Sequence, residues 1–296
     1  MVLMKICKGL RDFMIKFIGT DLDGTLLNSY SQVPLENADA IRRAVNSGII
    51  YAICSGRTLH SVNKFFKNDL KIDGYRVVLN GGVVVNPKGE TVVDSPIDHD
   101  IVDEILKRVE FSNFKVVIDG MNYTYVYDPK KSWTTYFEGM SRHNVHANSI
   151  DDLRKKNEDP NFKIYKVCFS TTPKRVFELR KKLESLATLP VTISRSGSSY
   201  FEINAQDVTK LSALQKISEL ESIPMASSMC FGDYGNDFDM IREVGYGVAM
   251  DNAIEKVKDV AWNITKTNNE NGVGVMIDRV LNGEFEKKNH RSNIDY

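Results

Sequence analysis

Apolar residues along this chain follow two alternating patterns. Short continuous runs at residues 14–20, 49–54 and 76–79 each end in a polar turn: Asp21, Ser55-Gly56-Arg57 and Asn80-Gly81-Gly82. Runs of that length without polar alternation suit strands buried on both faces of a parallel sheet. Between them the apolar positions recur at helical spacing. Leu35, Ala38, Ile41 and Val45 follow Pro34 and stop at Gly48, and Leu59, Val62 and Phe66 form a second stripe. The series predicts βαβαβ connectivity, hence a parallel sheet with right-handed crossovers.

The middle of the chain has a different rhythm. Residues 83–85 and 91–93 flank Asn86-Pro87-Lys88-Gly89, a hairpin turn, and residues 115–118 and 123–127 form a second hairpin around Asp119-Gly120. A helical stripe at Ile101, Ile105 and Val109 separates the two. After a polar stretch at residues 148–161 come a strand at 164–169, a helix at 173–186 and strands near Val191 and Tyr200. Hairpins interleaved with helices predict an antiparallel α+β insert. From Lys210 the parallel rhythm resumes, with a helix through Leu214, Ile217 and Leu220 and a strand at 229–231 ending in Gly232-Asp233. A helix through Met240, Ile241 and Val244 and strands at 247–250 and 262–264 complete it. The expected fold class is α/β: a doubly wound, Rossmann-type core of residues 1–83 and 204–296 carrying an α+β cap of residues 84–203.

Composition narrows the picture modestly. The 296 residues carry 39 basic and 39 acidic side chains, so no net charge draws the protein towards nucleic acid or an anionic membrane. No stretch reaches the ~20 apolar residues of a membrane span. Residues 1–12 mix Lys5, Lys8 and Arg11 with Val2, Leu3, Ile6 and Leu10, which makes a poor secretory signal; a loosely packed start is expected, with a transit-like extension as the alternative. Residues 284–296 are polar and expected to fray. Cys7, Cys54, Cys168 and Cys230 are scattered, and the last three fall in apolar runs, which suits reduced, buried thiols of a cytoplasmic protein.

The chemistry concentrates where strands end. Asp21-Leu22-Asp23-Gly24-Thr25 follows the first buried strand directly, and in open α/β sheets the ligand crevice lies beyond the carboxyl ends of the strands. Two carboxylates two residues apart can converge there, with Gly24 permitting a tight turn. Taken alone, Ser55-Gly56 reads as a helix N-cap and Lys210 as a surface charge. The acidic loops at Asp21 and at Gly232-Asp233-Tyr234-Gly235-Asn236-Asp237 change both readings.

These four segments, in this order, resemble the haloacid dehalogenase-like superfamily, and within it the Cof-type phosphatases with a large cap inserted after the third core strand. The resemblance runs from Phe17 to about Asp278. It implies Mg²⁺-dependent hydrolysis of small phosphorylated metabolites, sugar phosphates foremost, through an aspartyl-phosphate. By that resemblance the catalytic residues are Asp21 as nucleophile, Asp23 as general acid and base, and Lys210 as a fixed positive charge. The phosphate-binding residues are Leu22, Asp23, Ser55, Gly56, Lys210 and Asn236. The Mg²⁺ ligands are Asp21, Asp23 through its backbone carbonyl, Asp233, and Asp237 through a metal-bound water. Arg57 either shapes the site or packs outward.

Two departures from the family pattern stand out. Leu211 follows Lys210 where relatives usually have Gly, and Asn269 and Asn271 replace two acids in the segment at 268–273. If those acids help order the metal site, metal affinity is weakened. His143 and His146 have metal-like spacing but no third ligand and read as cap surface. Tyr123, Tyr125 and Tyr127 share a strand face, read as cover for the cap sheet, and Arg195, Ser196 and Ser198 are candidates for contact with the leaving group. The rival readings are a phosphotransferase or phosphomutase on the same chemistry, and a non-catalytic sensor of phosphorylated metabolites. The expected partner is the small-molecule substrate, with no nucleic acid or membrane, in a monomer or weak homo-oligomer.

Overall fold

The computed structural model describes residues 15–108, 114–130 and 143–285. The basic start of the chain, Cys7, Val109 and most of the polar tail lie outside those residues. The described chain forms two sheets, each with its own apolar cluster.

The larger sheet has eight strands. Five of the parallel ones follow the expected rhythm: β1 (Phe17–Thr20), β2 (Ile50–Cys54), β3 (Tyr75–Val78), β12 (Ser228–Gly232) and β13 (Tyr246–Ala249). The order is β14-β13-β12-β1-β2-β3-β4-β5, where β4 is Val83–Val85, β5 is Thr91–Asp94 and β14 is Asn263–Ile264. The chain therefore leaves β1 in one direction and returns on its other side at β12, which puts a topological switch point beside β1. Helix α1 (Leu35–Asn46) buries Ala38, Ile41 and Ala44, and its partner across one face is the helix Gly272–Leu281. Leu35 lies outside that stripe and is exposed. The helix α2 (Leu59–Lys64) runs on into one wide turn at Phe65–Leu70, ended by Lys71 in the left-handed region.

The smaller sheet has the order β10-β11-β9-β6-β7-β8, with β6 at Lys115–Asp119, β7 at Thr124–Tyr127, β8 at Asn144–Ala147, β9 at Lys166–Ser170, β10 at Val191–Gly197 and β11 at Tyr200–Ala205. All its pairings are antiparallel except β7 with β8. Its helices are α3 (His99–Arg108), α4 (Ile150–Asn157) and α5 (Val176–Leu183), and Val102, Ile105, Leu153, Leu179 and Leu183 join its core.

Three expectations are corrected here. The hairpin of β4 and β5 continues the core sheet, because Val83–Val85 pairs antiparallel with β3 and buries all three valines. The change of sheet accordingly falls after Asp94 and again after Ala205, not at residues 84 and 203. The polar stretch at 148–161 contains α4, nucleated by a capping box in which Ser149 and Asp152 exchange bonds. The spacing of its apolar residues is too sparse to announce a helix, and the cap supplies the signal instead. Strand β8 was also not foreseen, since Asn144-Val145-His146-Ala147 has only weak strand character.

Candidate active site

The site lies at the carboxyl ends of β12, β1 and β2. Register fixes it: Thr20 sits between Phe231 and Ile53, so the residues that follow these strands emerge side by side. The Asp21 N–H donates to the Phe231 carbonyl, which continues the ladder one step and holds Asp21 against the loop of Asp233.

Asp21, Asp233 and Asp237 converge, with one oxygen from each within 4.8 Å of the others. Lys210, at the first turn of α6 (Lys210–Glu221), places its ammonium 2.6 Å from Asp21 Oδ1 and 2.6 Å from Asp237 Oδ1. Thr209 caps that helix through a reciprocal exchange with Ser212, so the position of Lys210 is set by the start of the helix. Asp237 Oδ2 accepts the backbone N–H groups of Asp233 and Tyr234, which leaves both its oxygens engaged. Thr25 Oγ1 donates to Asp233 Oδ1 at 3.0 Å. Among the described residues, the cluster oxygens without a hydrogen bond are thus Asp21 Oδ2 and Asp233 Oδ2.

Burial and crowding act together on these acids. Burial raises the Asp21 carboxyl well above the usual range; Lys210 opposes this, and Asp237, Asp233 and Asp23 add to it. Asp233 is pushed up to about 7 by burial and by Asp237, against the pull of Thr25 and Lys210. Burial disfavours the Lys210 charge, yet Asp21 and Asp237 outweigh it and keep the ammonium protonated. Fully ionised, the three carboxylates and one ammonium would carry a charge of minus two in a largely buried pocket, which is why burial resists their ionisation. A single divalent cation cancels that charge, and hard oxygen donors with room for water suit Mg²⁺. The donor set therefore fits the ion.

The carboxylate of Asp23 points elsewhere. It is held at both oxygens by Arg57, with Nε 2.8 Å from Oδ2, at the exposed mouth of the loop. Only its backbone can join the acidic cluster. The Leu22 side chain is fully buried, so Leu22 too has only its backbone to offer. Ser55 is buried at the end of β2, and its Oγ accepts the Arg57 N–H. Asn236 donates to Asn80 Oδ1 at 3.3 Å, which turns it towards the same loop. The expected site residues are thus gathered in one place, apart from the Asp23 carboxylate.

The family departures prove local. Leu211 is the second residue of α6 and lines a cleft of about 910 Å³ between the two sheets, together with Lys210, Asn236 and Arg195. The ammonium of Lys210 keeps its position beside it. Asn269 Oδ1 accepts the Ser29 N–H, Asn268 donates to the Leu27 carbonyl, and Asn252 links Asn268 to the Gly24 carbonyl. This segment braces the loop after β1. Asn269 makes this contact with a neutral amide oxygen, and Asn271 adopts a left-handed backbone conformation, φ 59°.

Among the cap candidates, Arg195 lines the cleft, but its guanidinium bonds the Ser198 carbonyl and lies over Phe201. Tyr125 and Tyr127 pack on the cap core, as expected of sheet cover, while Tyr123 lies exposed beside His143. His143 stacks on His60, with ring centroids 3.5 Å apart. Sequence reasoning missed Thr25, Asn80, Lys166 and Glu202. The last two carried a signal: each is a charge inside an apolar strand run, at Lys166-Val167-Cys168-Phe169 and Phe201-Glu202-Ile203. Cys54 needs no such role; burial pushes its thiol up to about 12, which leaves it an inert apolar group.

Comparison with known proteins adds the following. The family described as haloacid dehalogenase-like hydrolase matches residues 18–277. The 5-amino-6-(5-phospho-D-ribitylamino)uracil phosphatase YwtE of Bacillus subtilis is 30% identical over 306 residues, covering 92% of this chain and 100% of its own. Phosphatase YwpJ of the same organism is 29% identical over 293 residues, covering 90% and 100%. A haloacid dehalogenase-like hydrolase structure from B. subtilis superposes with a TM-score of 0.79 at 27% identity, over 89% of this chain and 99% of that one.

Proposed function

The chain belongs to the haloacid dehalogenase-like hydrolase family, as a phosphatase of the Cof type, and from that premise we propose that it hydrolyses small phosphomonoesters with Mg²⁺ through an aspartyl-phosphate on Asp21. One observation carries the reading: a buried cluster of three carboxyl groups, Asp21, Asp233 and Asp237, around a single fixed ammonium. Phosphate monoesters are among the slowest substrates to hydrolyse in water, so charge neutralisation and a divided reaction path are both needed.

When bound among Asp21, Asp233 and the Asp23 carbonyl, Mg²⁺ would offset the negative charge of the phosphoryl group and of its attacker. Asp21 Oδ2, the oxygen not bonded to Lys210, attacks phosphorus as the bond to the ester oxygen breaks. Asp23, released from Arg57 and protonated as substrate enters, gives that proton to the departing alkoxide. In the second half Asp23 takes a proton from water as that water attacks phosphorus, the bond to Asp21 breaks, and inorganic phosphate leaves. Lys210, Ser55 Oγ and the Gly56 N–H hold the phosphoryl oxygens, the kind of fixed donor array that contributes most to such transfers.

The cleft lined by Arg195, Asn236 and Leu211 accommodates a leaving group of metabolite size. A phosphorylated sugar or polyol is the substrate class we favour, and the relative named for a phosphoribitylamino substrate agrees with it. Release of inorganic phosphate from a panel of sugar and polyol phosphates by wild type and Asp21→Asn tests the reading. Turnover by wild type alone is expected; equal turnover by both would refute it. Transfer of phosphate between sugar positions without release would favour the phosphomutase alternative.

A further inference from the structure

A second buried charge cluster lies on the cap side of the phosphate loop. Lys166, on β9, is buried, and its ammonium has three acceptors: the Gly56 carbonyl at 2.6 Å, Glu202 Oε1 at 3.0 Å and Asp119 Oδ2 at 3.2 Å. Two of its three N–H donors are hydrogen-bonded, to Gly56 and Glu202, and Asp119 completes an ion pair. Two acceptors belong to the cap sheet, on β11 and β6. The third belongs to the loop after β2 in the core.

Glu202 reaches the same loop. Its other oxygen accepts from Asn80 Nδ2 at 2.9 Å, and its carboxylate approaches so closely that a Cβ on Gly56 would lie 3.2 Å from Oε1. Asn80 also donates to Asn204 Oδ1 and accepts from Asn236, so the chain of contacts ends at the acidic site. Burial disfavours the Lys166 charge, but Glu202 and Asp119 outweigh it and hold the ammonium protonated. One ammonium and two carboxylates leave a net negative charge, and clusters of this kind are often no better for stability than apolar residues of similar volume. Stability alone is therefore a weak reason for its presence.

We propose that Lys166 is a positioning residue: by clamping the Gly56 carbonyl from the cap sheet, it sets the orientation of the loop that presents Ser55 Oγ and the Gly56 N–H to the phosphoryl group. The inference rests on the reading of that loop as the phosphate-binding one. The geometry of the loop is then a property of both sheets together, and the phosphoryl site is complete only with the cap seated as it is here. Methionine at this position keeps the length of the side chain and removes both charge and donors.

The test compares wild type, Lys166→Met and the triple variant Lys166→Met/Glu202→Gln/Asp119→Asn, all with saturating Mg²⁺. The readouts are thermal unfolding, kcat and KM for a phosphomonoester, and calorimetric affinity for orthovanadate. The triple variant has no uncompensated buried charge, so it folds even if the single variant does not. Its vanadate affinity and kcat are expected to fall by about tenfold, the factor expected for one lost buried hydrogen bond. A folded triple variant within twofold of wild type on both would overturn the proposal, since Lys166 would then only neutralise its neighbours. Wild type that neither binds vanadate nor releases phosphate would be a failure of the functional reading itself, and is told apart because it involves no variant.

Discussion

Arg57 holds the carboxylate of Asp23 at both oxygens, Nε to Oδ2 at 2.8 Å, and so keeps it apart from the cluster of Asp21, Asp233 and Asp237. Two acids separated by one residue thereby acquire different tasks. Asp21 is buried against a fixed ammonium, whereas Asp23 stays at the exposed mouth, and in the proposed reaction it exchanges protons there once Arg57 lets go.

That separation predicts a divided effect for Asp23→Asn. A leaving group that needs no proton, such as p-nitrophenolate, should still depart in a stoichiometric burst, after which turnover stalls because no base activates water. Alkyl phosphates should lose both steps, with kcat lower by about 10²–10⁴-fold, the usual range for general acid–base groups. Stopped-flow absorbance reads the burst; its absence in an otherwise folded variant would count against the role of Asp23.

Lys210→Met removes the ammonium bonded to both Asp21 and Asp237. Turnover should fall by about 10²–10³-fold, as when a fixed oxyanion donor is lost. Mg²⁺ should bind more tightly, because the cluster gains one unit of negative charge. Calorimetry and steady-state kinetics together check this pairing, and weaker metal binding would indicate collapse of the cluster instead.

Gly24 has φ of +78°, and a Cβ there would lie 2.4 Å from Asp233 Oδ2. Gly24→Ala should therefore displace Asp233 as well as strain the turn by about 1–2 kcal/mol. Mg²⁺ affinity should drop about tenfold or more. Calorimetric titration checks it, and unchanged affinity would show that Asp233 does not hold the ion.

The elevated Asp233 gives a pH signature. Its carboxyl titrates near 7 in the fold against about 4 in the unfolded chain, so folding takes up a proton. For protein stripped of divalent cations, that contribution to stability is present at low pH and is lost as pH rises from about 4 to about 7. Thermal unfolding in EDTA should fall in temperature from about pH 5 to about pH 8, while the stabilisation by Mg²⁺ should grow over the same interval, since the ion no longer competes with a proton.

Much of this arrangement was legible before any coordinates. Uninterrupted apolar runs gave the parallel strands, and the polar residues at their ends gave Asp21, Ser55 and Asp233, because a parallel sheet leaves its carboxyl ends as the place for a ligand. Asp237 and Lys210 could be named only through resemblance to a family, since nothing in their spacing shows that a helix start and a turn meet over β1. The assignment of β4 and β5 to the cap failed for a related reason: a hairpin has the same pattern whether it extends one sheet or founds another. Arg57 and Lys166 depend on which loop faces which strand across the two sheets, and sequence periodicity carries no such information.

The most direct measurement is an acid quench of a single turnover with phosphate-labelled substrate and Mg²⁺, followed by peptide mapping. The account predicts acid-stable, hydroxylamine-labile label on the peptide containing Asp21, accumulating further in Asp23→Asn and absent from Asp21→Asn. Turnover that releases phosphate while no label ever resides on Asp21 would contradict it.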